Sequence, residues 1–507
     1  MKATQQRLTG ALINTDKPMT FYFDGKAYQG YEGDTLASAL LANGVNIVGR
    51  SFKLHRPRGI FGAGKEEVNA FVQLEEGAWT EPNTRATLQA LYPGLKACSQ
   101  NAWPNARWDI GAVMQLFKPV LPASFYYKTF MWPHWSWWEA LVRRLAGLGK
   151  PPRAKDPQHY HKRNLHTELL IIGGGPAGLA AALLASCSKN TRVVLLDDQE
   201  VWGGSLLSGP LLADSLHARR TSINGISASA WLAETLCELE RRPNVTLLGR
   251  TTAIGYYDHN VVAAVERITA HLGPAADTAR PRERLWRLRA KQVILATGAI
   301  ERPLVFPDND RPGIMLASAV EQYVHRYGLR LADHLVFYTN NDSVYTKAIE
   351  LLDKGVGVAA VIDVRHQVAA SLLETLQQKG IQHYAGYAVT ATKGFCGLKR
   401  LRLTRLNQQA NGLTGERLTL GCDLLAMSGG WTPTVHLFSQ SGGKLDFNDT
   451  LSCFVPLQAV QPCVVAGSAN GEFSTKAALD SGSAAAFDVL NKLGRVSDTI
   501  NITDTTD

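Results

Sequence analysis

The sequence has little of what would set it apart from an ordinary globular protein. Its 507 residues include only seven cysteines: Cys98, Cys187, Cys237, Cys396, Cys422, Cys453 and Cys463, with no C-x-x-C pair among them. So odd and scattered a set excludes a disulfide framework, a zinc ribbon and a dithiol redox centre. Charged residues make up 19% and hydrophobic ones 45%, which excludes collagen-like, coiled-coil and largely disordered chains. The opening MKATQQRLTG has no apolar core of a signal peptide. The longest apolar run, Leu169 to Ala185, is broken by glycines. No membrane span and a cytoplasmic location are therefore expected. A net charge of +9, spread over this length, does not point to nucleic acid. The densest basic stretch, Arg143 to Arg163, mixes Pro, Gly and His and reads as a solvated linker. His325, His366, His383 and His436 have no metal-ligand spacing, so no metal is expected. No nucleophile elbow occurs, and no catalytic acid or base is assigned.

What is present has clear order. Met19 to Phe23, the turn Asp24-Gly25-Lys26 and Ala27 to Tyr31 read as a hairpin. Asp34 or Thr35 can then cap a helix over Leu36 to Ala42, ending at Asn43-Gly44. Strand, hairpin, strand, helix is how a small β-grasp domain begins. From Ala97 to Lys150 the chain is irregular and aromatic, with Trp132, Trp135, Trp137 and Trp138 among its residues. That composition suits packing between domains or subunits, and Pro133 interrupts a long amphipathic helix.

A βαβ unit follows: strand Leu169 to Ile172, glycine turn, helix Leu179 to Ser186, strand Arg192 to Leu196. Gly173-Gly174-Gly175-Pro176-Ala177-Gly178 fits G-x-G-x-x-G, follows a strand, opens a helix, and has an acid at the next strand's end. Gly173 permits the tight turn, Gly175 lets a pyrophosphate approach the backbone, and Gly178 allows close helix–strand packing. Backbone N–H groups at the helix start face the phosphates. Asp197 is placed to accept adenosine ribose hydroxyls and would repel a 2′-phosphate, which favours NAD or FAD over NADP. A second βαβ unit, over His334 to Val364, has Tyr338-Thr339-Asn340-Asn341-Asp342 where glycines should stand. It is expected to bind no second dinucleotide in the usual way.

These features resemble the two-dinucleotide-fold flavoprotein and disulfide-reductase superfamily. More specifically, the chain resembles the α subunits of heterotetrameric sarcosine oxidase, and through them α-like subunits of opine oxidase, proline dehydrogenase and hydrogen cyanide synthase complexes. The matching segments are Gly33 to Ala42, Arg50 to Ile60, Phe125 to Pro133 and Ser428-Gly429-Gly430-Trp431. The resemblance implies an α/β fold class: a disulfide-reductase-like, two-dinucleotide-binding Rossmann fold preceded by a ferredoxin-like β-grasp domain. The expected domains are the β-grasp at 1–96 and an aromatic connecting segment with basic linker at 97–165. The first dinucleotide-binding domain follows at 166–303, a second dinucleotide-type domain without a phosphate loop at 304–420, and a return to the first at 421–507. A [2Fe–2S] cluster needs four thiolates, and no cysteine precedes Cys98, so no cluster is expected. The family's α subunit continues into a folate-binding aminomethyltransferase-like domain. This sequence ends at Asp507, so folate capture is not expected of it.

The resemblance further implies a bound NAD here, FAD on a glycine-oxidase-like β subunit, FMN at the α/β interface, and small γ and δ subunits. Many FAD-binding relatives use a Gly-Asp near the C-terminus; here the equivalent reads Ala466-Gly467-Ser468. By resemblance Ala177, Asp197, Asp198, Gln199, Ser205, Ser468, Phe473 and Thr475 line the NAD, with Gly203-Gly204 as the close turn beside it. Pro176, Gly298 and Gly467 complete that set. Ser205-Leu206-Leu207-Ser208 holds no cysteine pair, which argues against a disulfide reductase. Lys53, His55, Arg56 and Arg58 form a basic cluster that suits the FMN phosphate; a salt-bridge network is the competing reading. The implied function is oxidation of a secondary amine or amino acid by the assembled complex. The alternatives are a stand-alone NADH-dependent reductase with FAD in this chain, and a non-catalytic assembly scaffold.

Overall fold

The structure is a computed structural model and describes residues 7–8, 12–120, 131–145, 147–209 and 222–495. The chain forms two compact units, one from Met1–Pro157, His271–Pro274 and Arg302–Gly430, the other from Gln158–Ala270, Ala275–Glu301 and Trp431–Asp507. The aromatic motif from Phe125 to Phe130 lies outside the described residues.

The first unit opens with strands Asn14–Phe23 and Lys26–Glu32 in an antiparallel hairpin. Helix Leu36–Ala42 follows, and Thr35 rather than Asp34 is its cap. The Thr35 hydroxyl accepts from Ser38 N while the Ser38 hydroxyl accepts from Thr35 N, a reciprocal pair that satisfies two end donors. Asp34 is buried one residue earlier and accepts from the Ser38 hydroxyl at 2.7 Å and from the Arg7 guanidinium. Strands Lys96–Ser99, Phe71–Leu74 and Glu81–Arg85 complete a mixed five-stranded sheet, the β-grasp arrangement.

The same unit contains a five-stranded parallel sheet ordered Ile314–Leu316, Leu424–Ser428, Leu335–Thr339, Val358–Asp363, Gln382–Ala385. Its central strands are buried on both faces, as the apolar runs LVFYT and LLAMS require. One hydrophobic core joins this sheet to the β-grasp: Phe21, Leu36, Val72 and Leu95 belong to the same buried cluster as Phe337, Tyr345 and Leu425.

His325 ends helix Ala317–His325 and is buried with neither ring nitrogen hydrogen-bonded. Burial first, and then the Lys354 and Lys347 charges, push its imidazole down to about 4 from an ordinary 6.5. A folded-state pKa below the unfolded one means the neutral ring's contribution is complete above about 6.5 and is lost as pH falls towards 4. That loss is about 3 kcal/mol at pH 4. His325→Phe should flatten the acid limb of stability in denaturant titrations run between about pH 7 and pH 4; an unchanged acid limb would show that His325 does not carry it.

The second unit is built on strands Tyr160–Ile172 and Glu283–Leu295, paired in parallel from Tyr160↔Glu283 to Ile172↔Leu295. Val193–Leu196 and Val245–Leu248 extend one edge, Val261–Arg267 and Thr251–Tyr257 the other, and Cys463–Val465 pairs with the end of Glu283–Leu295. The long first strand corrects the linker reading: Tyr160 to Arg163 are strand, with outward-facing side chains that look like a solvated loop. Helix Pro176–Ala185 starts three residues earlier than its apolar run suggests, because Pro176 has the fixed φ suited to a first helical position. It is apolar all round, since helix Thr475–Lys492 covers it with Ala478, Gly482, Ala485, Ala486 and Val489.

Candidate functional site

The glycine turn separates into residues the fold demands and one it does not. A Cβ at Gly173, whose φ is +112°, would stand 2.2 Å from the Ala296 carbonyl oxygen, and one at Gly178 would stand 1.8 Å from the Gly173 oxygen. Both positions are glycine for packing. Gly175 has extended dihedrals that any residue adopts, and a Cβ there would meet nothing closer than Gly204 Cα at 3.9 Å. Its missing side chain leaves open space in front of the helix, as a pyrophosphate cradle needs. The helix has Gly175 as its cap, with no side-chain hydrogen bond, and proline follows. Its first-turn N–H groups therefore face that space with no capping side chain.

Three further loops converge on the helix start. Gly203 N donates to Gly174 O at 2.9 Å, and a Cβ at Gly204 would stand 2.9 Å from Gly175 Cα. A Cβ at Gly467 would come 2.7 Å from the Ala177 side chain. Asp197, at the end of strand Val193–Leu196, accepts from Gly174 N at 2.5 Å and from Gln199 N at 2.8 Å. The carboxylate thus holds the glycine turn in place.

Asp198 follows Asp197 directly and Ser205 lies in the 3-10 turn Gly204–Leu207, while Phe473 and Thr475 follow the Gly467 turn, with Ser474 capping helix Thr475–Lys492. The Ser468 hydroxyl donates to Glu472 O at 3.2 Å. Gly298, with φ +73°, has open space around it, and its carbonyl accepts from Thr434 N.

Sequence reasoning missed two groups here. Trp202 lies over the turn, since a Cβ at Gly174 would stand 2.3 Å from its ring; its place just before Gly203-Gly204 was the available signal. Glu472 keeps a buried carboxylate oxygen with no partner, and nothing local marked it.

The second parallel sheet lacks such a cradle. Asn341 accepts from Ser343 N and from the Ser343 hydroxyl, and Asp342 pairs with Arg365 at 2.6 Å. The turn's own side chains occupy the start of helix Ser343–Asp353.

The basic cluster takes the arrangement of an ion-pair network. Arg56 pairs with Asp308 and Asp310, Arg58 pairs with Asp310 at 2.9 Å, and His55 Nδ1 lies 2.7 Å from Asp109. Lys53 also has a partner. The Nε of Arg56 and of Arg58 remain buried without hydrogen bonds. Among the described residues no three His, Cys, Asp or Glu side chains could hold a metal. All seven cysteines are free, and no described helix is long and apolar enough to cross a membrane.

Comparison with known proteins agrees with this architecture. Residues 16–102 match a 2Fe-2S iron-sulfur cluster binding domain, and residues 167–335 match a pyridine nucleotide-disulphide oxidoreductase domain. The cluster itself does not fit, because Cys98 is the one cysteine in the first region and four thiolates are needed. The alpha subunit of sarcosine oxidase from Rhizobium meliloti (strain 1021) is 44% identical over 486 residues, 95% of this chain and 47% of that protein. The corresponding subunit from Corynebacterium sp. (strain P-1) is 38% identical over 94% of this chain and 43% of its own length. An opine oxidase subunit from Rhizobium meliloti is 26% identical over 65% of this chain and 64% of its own length. The crystal structure of L-proline dehydrogenase from P. horikoshii superposes with a TM-score of 0.61 at 19% identity, covering 97% of this chain and 76% of that one; this likeness concerns the fold. The chain spans about half the length of the sarcosine oxidase subunits it matches. It is a ferredoxin-like β-grasp joined to a disulfide-reductase-like dinucleotide fold, and along nearly all of its length it belongs to the family of sarcosine oxidase α subunits.

Proposed function

We propose that this chain is the dinucleotide-holding α-type subunit of a multi-subunit, flavin-dependent oxidoreductase that oxidises a secondary amine or amino acid. The carrying observation is the open cradle at Gly175, kept beside Asp197 in a chain similar over 95% of its length to a sarcosine oxidase α subunit. NAD is the dinucleotide this reading assigns, with FAD on a separate β subunit, FMN being shared at the interface. Bound flavin supplies two-electron acceptance from an amine C–H bond. This chain's own residues bind and orient: first-turn amides neutralise the pyrophosphate, Asp197 selects a free 2′-hydroxyl, and Trp202 walls the turn. The Arg56 and Arg58 Nε donors, already desolvated and unpaired, would bring the ion-pair network to an FMN phosphate. The exposed Trp132, Trp135 and Trp137 suit the seat of a partner subunit.

Glu472 supports a second reading. Its unmatched buried oxygen lies four residues beyond Ser468, the position at which many flavin-binding relatives carry their acid, so FAD in this chain is the competing assignment. Denaturing the purified chain and identifying the released nucleotide by mass spectrometry and absorbance separates the two. NAD without flavin is expected; bound FAD, with NADH oxidation by the chain alone, would make it a stand-alone reductase instead.

A further inference from the structure

Between helix Leu36–Ala42 and strand Phe71–Leu74 the chain makes a tight loop whose amides point inward onto two carboxylates. Glu67 is 0% exposed. One of its oxygens accepts from Phe61 N at 2.7 Å and Gly62 N at 2.8 Å, the other from Asn69 N at 2.6 Å and Ala70 N at 2.9 Å. The neighbouring Glu66 accepts from Ala63 N at 2.7 Å and Gly64 N at 2.8 Å. Six backbone donors from one short loop thus converge on two side chains of that loop. The Thr87 hydroxyl closes it from outside, donating to Gly64 O at 2.7 Å.

Such a nest of amides is built for a concentrated negative charge. The spacing within it is informative. Gly62, Glu67 and Ala70 stand in the order x-(four residues)-x-(two residues)-x, the spacing of the first three thiolates in a plant-type [2Fe–2S] site. They fall inside the region matching a cluster-binding domain, and Thr87, farther along the chain, touches the same loop. An oxidised [2Fe–2S] centre with four thiolates is doubly negative, as is a pair of ionised glutamates.

We propose that loop 61–70 is an iron–sulfur cluster cradle refilled from within, with Glu66 and Glu67 supplying the anion that the cluster would supply. Gly62, Glu67, Ala70 and Thr87 are the four vacated ligand positions. The carboxylates serve as a permanent internal counter-charge that keeps the β-grasp loop folded, and electron transfer through this module is absent. Burial pushes the Glu67 carboxyl up from the ordinary carboxylate range, and the four amides on its oxygens oppose that shift, because a protonated Glu67 would aim an O–H at a backbone N–H.

The test is made on the full chain with Gly62→Cys, Glu67→Cys, Ala70→Cys and Thr87→Cys together. Glu66→Ala is added because a Cβ at Gly62 would stand 2.7 Å from the Glu66 carboxylate. After anaerobic reconstitution with iron and sulfide, the variant should hold about two irons and two sulfides per chain. It should also show visible charge-transfer absorbance and an EPR signal on reduction, which the unmodified chain under the same treatment lacks. A folded variant that takes up no more iron and sulfide than the unmodified chain overturns the proposal.

Glu67→Gln decides the case if that variant does not fold. Glutamine keeps the shape but turns an NH2 group onto two of the four amides, so the thermal midpoint should fall by at least about 4 °C, nearly as far as in Glu67→Ala. A Glu67→Gln chain that melts with the unmodified one would mean that packing, and not charge, fills the loop, and would equally overturn the proposal.

Discussion

Gly175→Val should abolish dinucleotide retention while leaving the protein folded. The φ of −80° and ψ of −172° at this residue suit valine, and the first atom of a side chain would have 3.9 Å of clearance. The valine methyls would stand where a pyrophosphate must approach the helix amides. Affinity should drop at least about 100-fold, which is about 2.8 kcal/mol. The check has two parts: nucleotide content of the purified variant by mass spectrometry, and its melting compared with the unmodified chain stripped of nucleotide. The comparison must be with the stripped chain, because a ligand binding only the native state adds about 2.7 kcal/mol of stability at one hundred times its Kd. Full nucleotide retention in the variant would move the binding site away from this turn. A large loss of stability relative to the stripped chain would make Gly175 a packing glycine like Gly173 and Gly178.

Gly482→Ala should do the opposite, damaging the fold first. Alanine in a helix interior is ordinarily worth about 1 kcal/mol more than glycine. Against that gain, a Cβ at residue 482 would stand 2.0 Å from the Ala177 carbonyl oxygen and 2.8 Å from Ala177 Cα. Helix backbone has no flexible side chain with which to yield. Separating the two helices also opens the buried cluster of Ala177, Ala181, Ala478, Ala485 and Val489. Overpacking of this severity costs about 3 kcal/mol or more, so the net loss is about 2 kcal/mol and the midpoint should fall about 4–8 °C. Calorimetry of the full chain measures this directly. A rise in the midpoint would show that the helices do not approach as closely as the structure has them.

The two glycines illustrate what could be read beforehand. Gly175 was legible because the dinucleotide turn is a local device: strand, glycines, helix and acid lie within about thirty residues, each with a chemical reason for its place. Helix Leu36–Ala42 was legible for the same reason, with its cap narrowed to Asp34 or Thr35, since capping acts within about one turn of the helix start. Gly482 sits in an Ala-rich helix with no motif around it, and its partner Ala177 is far away in the chain. The basic cluster Lys53 to Arg58 looked ready for a phosphate because Asp308 and Asp310, which pair with its arginines, lie some 250 residues downstream. Tyr160 to Arg163 looked like linker because their side chains face outward, and strand pairing there depends on backbone groups that sequence does not display.

The sequence alone therefore determined the local chemistry: the cradle and its acid, the missing glycines of the second turn, the absence of thiolates for a cluster, and the resemblance to sarcosine oxidase α subunits. Tertiary structure decided which charges remain available and which small residues cannot grow. It closed Arg56, Arg58 and His55 onto carboxylates, folded Glu66 and Glu67 back onto six amides, and set Gly482 against Ala177. The physical reason is range. Dihedral preference, periodicity and capping act over a few residues and leave their mark in the order of the chain, whereas ion pairing and close packing join residues that become neighbours only after the chain has folded.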